Sequence, residues 1–189
     1  MTPTLRTRRL LLVPLDTRQL AARAASDDFC LQVHAAGRVH FGPEHPGELT
    51  GLYPLWLAAT PHPGAVLGTW TVVHRADAEA VGSVGIKGPP CDGIVEIGYG
   101  VVPSHRGQGL AAEAVDAVCR VLFRGGLGRV ETIQAETRVD NLPSQAVLRR
   151  CGFTMTGERS DPTDGQLLIW SLEPQDQRLD PQSDRDAGQ

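Results

Sequence analysis

The spacing of apolar residues changes several times along the chain, and each change marks an element. Arg9 to Leu15 is a leucine- and valine-rich run that predicts a first strand. Asp16 follows as a helix N-cap, with Gln19 three residues on as its capping-box partner, so a helix is expected through the alanine-rich Leu20 to Ala25. From Ser26 to Gly64 no single period holds. Leu52, Trp56 and Leu57 fit one helical face, but Pro54 interrupts it, and glycine and proline in "FGPEHPGE" and "TPHPGA" mark loops.

The pattern is clearer from Val66 onward. Val66 to Arg75 predicts a strand, Asp77 to Glu79 its turn, and Ala80 to Lys87 the antiparallel return. Ile94 to Val102 predicts another strand, stopped by Pro103. Gly107 to Phe123 predicts a helix, because Leu110, Ala111, Ala114, Val115, Val118, Val121 and Leu122 recur at a spacing near 3.6. Gly125 and Gly126 end it. Val130 to Thr137 follows as a strand, Pro143 to Cys151 as a helix, and Phe153 to Gly157 and Gln166 to Leu172 as strands. The β-α-β-α-β-β order of this half, joined to the earlier strands, predicts an α/β (α+β) mixed sheet.

Composition narrows the class. With 189 residues and 41% hydrophobic content the chain has enough apolar material for one core, expected within residues 1–172. Residues 173–189 carry five acids and two arginines, −3 of the total charge of −4, and are expected to be a disordered acidic tail. The remaining −1 argues against a nucleic-acid partner. The longest apolar run near the start, Leu10 to Val13, is too short for a signal-peptide core or a membrane span, so no membrane partner and a cytoplasmic location are expected. The four cysteines form no CxxC pair and are expected to be reduced and mostly buried. The histidines show no zinc-protease spacing, so no metal is expected.

Chemistry concentrates after the strand at Ile94. In "VVPSHRGQGLAA" a strand ends, a glycine-containing loop follows and a helix begins. Free N–H groups at a helix N-terminus attract anions, and the helix dipole adds to the field. Gly107 and Gly109 let the backbone approach a diphosphate, and Arg106 can add a charge-assisted contact. The Walker pattern and the dinucleotide pattern GxGxxG are both absent, since Ala112 stands where a third glycine would fall.

Arg106-x-x-Gly109-x-Ala111 resembles the [QR]-x-x-G-x-[GA] acetyl-CoA motif of the GNAT N-acetyltransferase superfamily. "NLPSQAVLRRCGF", Asn141 to Phe153, resembles the second signature of that family, and its N-x-x-S form is similar to the Rim-type branch that acetylates N-termini of ribosomal proteins. The resemblance spans Arg8 to Leu172 and is sharpest from Glu96 to Phe153. It implies a GNAT-like acyl-CoA N-acyltransferase fold, a mostly antiparallel sheet flanked by helices and splayed between two parallel strands. Acetyl-CoA would be co-substrate, an N-terminal or small-molecule primary amine the acceptor, and the protein a monomer or homodimer. Non-catalytic acetyl-CoA sensing is the alternative.

The same resemblance assigns roles. Val101 and Val102 would pair with the pantetheine arm, the Val101 amide would face the oxyanion, and the N–H groups of Arg106, Gly107, Gln108, Gly109, Leu110 and Ala111 would hold the diphosphate. Asn141 would contact the cofactor or hold the corner before its helix. Glu96 is the candidate base, acting through water; a solvent-facing or ion-paired strand residue is its bland alternative. The tyrosine acid of many relatives aligns with Leu148, leaving Ser144 as candidate acid or as a helix-capping residue. Arg149 and Arg150 can reach the 3′-phosphate or lie on a solvated face. Tyr53, Trp56 and Phe41 are candidates for the acceptor pocket or for core, and His74 is a second candidate base.

Overall fold

A computed structural model describes residues 2–44, 65–126 and 128–174. The elements run β1 (Leu5–Arg6), β2 (Leu10–Asp16), α1 (Thr17–Ala25), β3 (Phe29–Val33), β4 (Gly37–Phe41), β5 (Ala65–His74), β6 (Glu79–Ile86), β7 (Ile94–Val101), α2 (Leu110–Phe123), β8 (Thr132–Arg138), α3 (Leu142–Arg150), β9 (Thr154–Asp161) and β10 (Gly165–Leu172). The sheet order is β1-β2-β5-β6-β7-β8-β10-β9, with the β3–β4 hairpin attached through β4 to β6. Neighbours along the main path are antiparallel except β7 and β8, which are parallel.

Alternation on the strands divides the interior into two layers. Leu10 and Leu12 on β2, and Trp70 and Val72 on β5, face a large cluster covered by α2 and α3. Val13 and Val73 face a smaller cluster with Val33, Val39 and Phe41 of the hairpin. The α2 stripe buries Leu110, Ala114, Val115, Val118 and Leu122 as its spacing predicts, whereas Ala111 and Val121 are only half-buried. Each fully buried side chain of this size contributes about 1.5–3 kcal/mol of apolar burial, so this stripe and the two buried tryptophans, Trp70 and Trp170, hold the helical layer to the sheet. Both indoles have acceptors: Trp70 Nε1 donates to Pro3 O and Trp170 Nε1 to Thr137 Oγ1.

Asp16 caps α1 as expected, its carboxylate accepting from the Gln19 amide at 3.0 Å. The Gln19 side chain does not close a capping box. It is buried, donates to Pro14 O and accepts from Thr71 Oγ1. The hairpin of β3 and β4 lies in the segment whose period was unreadable. Its short strands alternate weakly and gain their apolar face only by packing on β2 and β5. The helical face expected around Leu52 to Leu57, and the tail beyond residue 174, lie outside the described residues. Cys119 is buried and Cys151 half-buried, but Cys30 and Cys91 are exposed, so half of the expected buried thiols face solvent.

The feature that positions the site is a fork. β8 pairs with β7 only at Ile94↔Thr132, Val95↔Ile133 and Glu96↔Gln134. Beyond that point β7 follows β6 to Val101 and β8 follows β10 to Arg138. Each strand takes its hydrogen bonds from a different neighbour, and a gap opens between them.

Candidate functional site

The loop beyond β7 begins with a 3₁₀ turn, Pro103–His105, and ends at α2. Gly107 and Gly109 sit at φ 74° and 75°, in the left-handed region. L-residues avoid that region by roughly 1–2 kcal/mol, so local conformation alone accounts for glycine at both positions. Gly109 is the N-cap of α2 and has no side chain to cap with. Among the described residues no acceptor takes the N–H groups of Gly107, Gln108, Gly109, Leu110 or Ala111. These amides form a row of unpaired donors at the positive end of a 14-residue helix. The Arg106 amide differs, because it donates to Pro103 O. Its side chain folds back, with Nε donating to Val101 O at 3.0 Å.

Two arginines flank the row. Arg9, about a hundred residues away in sequence, donates from Nη1 to Gln108 O at 2.8 Å and pairs through Nε with Glu113 at 2.7 Å. Burial opposes ionisation of Glu113, but donors from the Thr7 hydroxyl, the Arg9 amide and the Arg9 guanidinium hold its carboxyl below the ordinary range. A Cβ on Gly109 would lie 3.8 Å from Arg9 Nη2 and 4.0 Å from Arg150 Nη1. Arg8, Arg9, Gly109 and Arg150 line a cleft of about 530 Å³. The pair Arg149–Arg150 therefore splits: Arg150 faces this cleft, while Arg149 stacks over the Trp170 ring at 5.0 Å and donates to Gln145. Cys151 also lines the cleft, but burial pushes its thiol up to about 11, so it is not a thiolate nucleophile near neutrality.

In the gap, peptide direction follows from the ladder. Lys87 N donates to Glu96 O and Val102 N to Val81 O. Residues of that parity, Gly98 and Gly100 included, turn their peptides to β6, so Ile97 turns its peptide to β8 at the fork and Tyr99 and Val101 turn theirs toward the gap. Val101 thus keeps its N–H on the open edge. Val102 does not fit the pantetheine-pairing role that the resemblance implies, since its N–H is bound to Val81 and its carbonyl accepts from His105 N.

Asn141 is the N-cap of α3, its side chain accepting from the Ser144 amide at 3.2 Å. Ser144 does not cap. Its Oγ lies 2.8 Å from the Tyr99 hydroxyl, which also donates to Ser144 O at 3.0 Å. A phenol on β7 and an alcohol on α3 therefore meet. Leu148, in the usual tyrosine position, is fully buried in the large cluster and leaves no room there for an acid. Tyr99 is the residue sequence reasoning missed. Its signal was its parity in "EIGYG": it points to the face opposite Glu96.

Glu96 stands at the last paired position of the fork, opposite Gln134. Its carboxylate pairs with Lys87 Nζ at 2.5 Å and is about one-third exposed. Glu136, two residues beyond Gln134, is bound in bidentate fashion by Arg159, whose hydrogen bonds hold its carboxyl below the usual range. Phe41 packs in the smaller cluster, stacked on Phe29 at 4.8 Å, and is core. Tyr53 and Trp56 lie outside the described residues. His74 sits at the end of β5, with β6 and β7 between it and the gap, and binds Asp77. It is not placed to serve the fork.

The arrangement can hold a diphosphate on free amides and arginines, seat an extended arm along a strand edge, and place hydroxyl donors beside whatever the arm carries. Comparisons with known proteins point the same way. The family described as acetyltransferase (GNAT) domain matches residues 9–154. The uncharacterized N-acetyltransferase YjdG of Bacillus subtilis is 33% identical over 96 residues, which is 49% of this chain and 55% of the relative, so the matched part spans about half of that protein. Among solved structures, a GNAT-family acetyltransferase from Bacillus anthracis superposes with a TM-score of 0.62 at 16% identity, covering 90% of this chain and 98% of the other. The ribosomal-protein-S5-alanine acetyltransferase from Vibrio fischeri gives 0.62 at 15% identity, with coverage of 93% and 98%. At these identities the two structures show a shared fold.

Proposed function

This chain belongs to the acetyltransferase (GNAT) family, which implies acetyl-CoA-dependent acetyl transfer, and from that premise we propose that it acetylates a primary amine by direct attack on the thioester. The observation that carries the reading is the fork itself: β7 and β8 part beyond Glu96, Tyr99 of β7 meets Ser144 of the helix after β8, and β7 leads into the row of amides without acceptors among the described residues.

In this reading the amides from Gly107 to Ala111 hold the diphosphate, with Arg9 and Arg150 adding charge. Pantetheine pairs along the side of β7 that faces the gap, and the Val101 N–H faces the oxygen on which charge develops. Asn141 acts through the corner it caps. Glu96 takes the amine proton through a water, on the face opposite α2 and α3. Ser144 gives its hydroxyl proton to the departing thiolate, Tyr99 passes its own across their hydrogen bond to Ser144 Oγ, and solvent water returns a proton to Tyr99. The acceptor is the N-terminus of a protein or a small amine. The N-x-x-S form at Asn141 to Ser144 favours the Rim-type branch. We assign the activity to a single domain ending near residue 172, working in the cytoplasm as a monomer or homodimer; among the described residues no helix is long and apolar enough to cross a membrane.

The test is thiol release from acetyl-CoA against a panel of primary amines. Ser144→Ala is expected to lower kcat on the order of 100-fold with the KM for acetyl-CoA unchanged, and Tyr99→Phe to displace the alkaline limb of the pH profile. A native protein that binds acetyl-CoA yet releases no thiol with any amine would overturn the catalytic reading in favour of a sensor.

A further inference from the structure

A second cluster of chemical groups stands apart from the gap, where the turn between β5 and β6 meets the 3₁₀ turn Pro103–His105. One ligand atom each from His74, Asp77 and His105 lie within 4.8 Å of one another. The residues come from a strand end, a hairpin turn and the segment before the loop, so their spacing in sequence matches no metal motif. Both histidines are largely sheltered, with side chains 19% and 15% exposed. Glu79, which opens β6, places Oε2 4.0 Å from His105 Nε2.

The hydrogen bonds fix which ring nitrogen of His105 is held by Ser104. The Ser104 hydroxyl donates its single proton to Glu44 Oε2 at 2.8 Å, and the Ser104 amide donates to the same oxygen at 2.9 Å. Those two bonds hold the Glu44 carboxyl below its ordinary range, so it is an acceptor. Ser104 Oγ, 3.0 Å from His105 Nδ1, must then accept from that nitrogen. The other ring nitrogen, Nε2, is free of that bond and stands 4.0 Å from Glu79 Oε2. Metal-bound histidines are held by this kind of bond to the other ring nitrogen. On the opposite side, His74 Nδ1 and Asp77 Oδ2 are 3.0 Å apart. Adjacent ligands of a tetrahedral ion with bonds of about 2.0–2.1 Å stand about 3.4 Å apart, so an ion can replace the proton now shared between them with little movement.

We propose that His74, Asp77 and His105, with Glu79 or water as fourth ligand, bind a divalent transition-metal ion of the zinc type. Two imidazoles and a carboxylate suit zinc over magnesium or calcium, which prefer all-oxygen sites. The ion staples the β5–β6 turn to the turn that leads into Arg106. The site does not depend on acetyl transfer, and its test needs no acetyl-CoA.

Zinc alone is titrated into metal-free full-length protein in competition with a chromogenic chelator, and melting is followed in parallel. One tight equivalent per chain is expected, with a zinc-dependent rise in Tm. His105→Ala and His74→Ala should each weaken binding at least 100-fold and abolish the rise. Asp77→Asn, which keeps the size of the side chain, should weaken it on a fold that melts normally without zinc. Ser104→Ala should cost about 10- to 100-fold through the lost bond to His105. His34→Ala, at an exposed and distant turn, should bind as the native protein does. Absence of a tight equivalent in the native protein, or its survival in both histidine variants, would overturn the site and leave a hydrogen-bonded turn.

Discussion

Alanine placed at Gly107 and at Gly109 separates local strain from ligand contact. Both glycines have φ near +75°, so each substitution carries the same left-handed penalty, roughly 1–2 kcal/mol for an L-residue. Part of that is offset by the lower freedom of alanine in the unfolded chain, leaving a net cost of about 1 kcal/mol. For a domain of this size that corresponds to a fall in Tm of about 2–4 °C, expected equally for the two variants. They differ in what the new methyl meets. At Gly107 there is nothing within 4 Å; at Gly109 the methyl stands between Arg9 Nη2 and Arg150 Nη1, where the proposed diphosphate would sit. Displacing one charge-assisted hydrogen bond costs about 1.5–3 kcal/mol, or roughly 10- to 100-fold in Kd. Calorimetric titration of acetyl-CoA should therefore show Gly107→Ala within about threefold of native, since its strain is the same free and bound, and Gly109→Ala weaker by at least tenfold. Equal losses in the two variants, or native-like binding by Gly109→Ala with a normal melting curve, would refute the reasoning and move the diphosphate elsewhere.

Two other outcomes follow from charges near the cleft and the fork. Arg150→Ala should raise the KM for acetyl-CoA about tenfold while melting as native, whereas Arg149→Ala should leave KM unchanged and lose stability of about 0.5–1 kcal/mol from its stacking on Trp170; the reverse pattern would exchange their roles. Below pH 5 the Arg159 cluster should weaken: its hydrogen bonds hold Glu136 below its ordinary 4.5 and Asp161 down at about 2, so the stabilisation is complete above the unfolded values and is lost as pH falls through the folded ones. Urea midpoints from pH 7 to 3 should fall less steeply in Glu136→Gln than in the native chain, and parallel slopes would show that the pair does not report on stability.

Much of the site was legible because its elements are local. The glycine-loop-helix segment carries its own chemistry, and the structure adds that its amides meet no acceptor among the described residues and that its glycines lie at positive φ. Asn141 was legible only as a choice between cofactor contact and cap, and the cap is what its side chain makes. Glu96 was visible as a strand carboxylate, but its pairing with Lys87 depends on the return strand lying directly beside it. Arg9 carried no signal, because its importance comes from a contact made a hundred residues along the chain. Val102 shows the cost of reading a strand edge without its neighbour: parity to β6, absent from the motif, decides which peptide is free.

The sequence by itself determined the order of elements from Leu10 to Ala25 and from Val66 onward, the α/β class and the glycine loop that opens α2, because hydrophobic period, capping residues and positive-φ glycines act over a few neighbouring residues. Tertiary structure decided which strands part, which hydroxyl meets Ser144, which of two adjacent arginines faces the cleft, and that three histidine and aspartate ligands with no motif between them converge at one turn. Those outcomes are set by sheet pairing and helix packing between distant segments, and no local pattern encodes a distance across the fold.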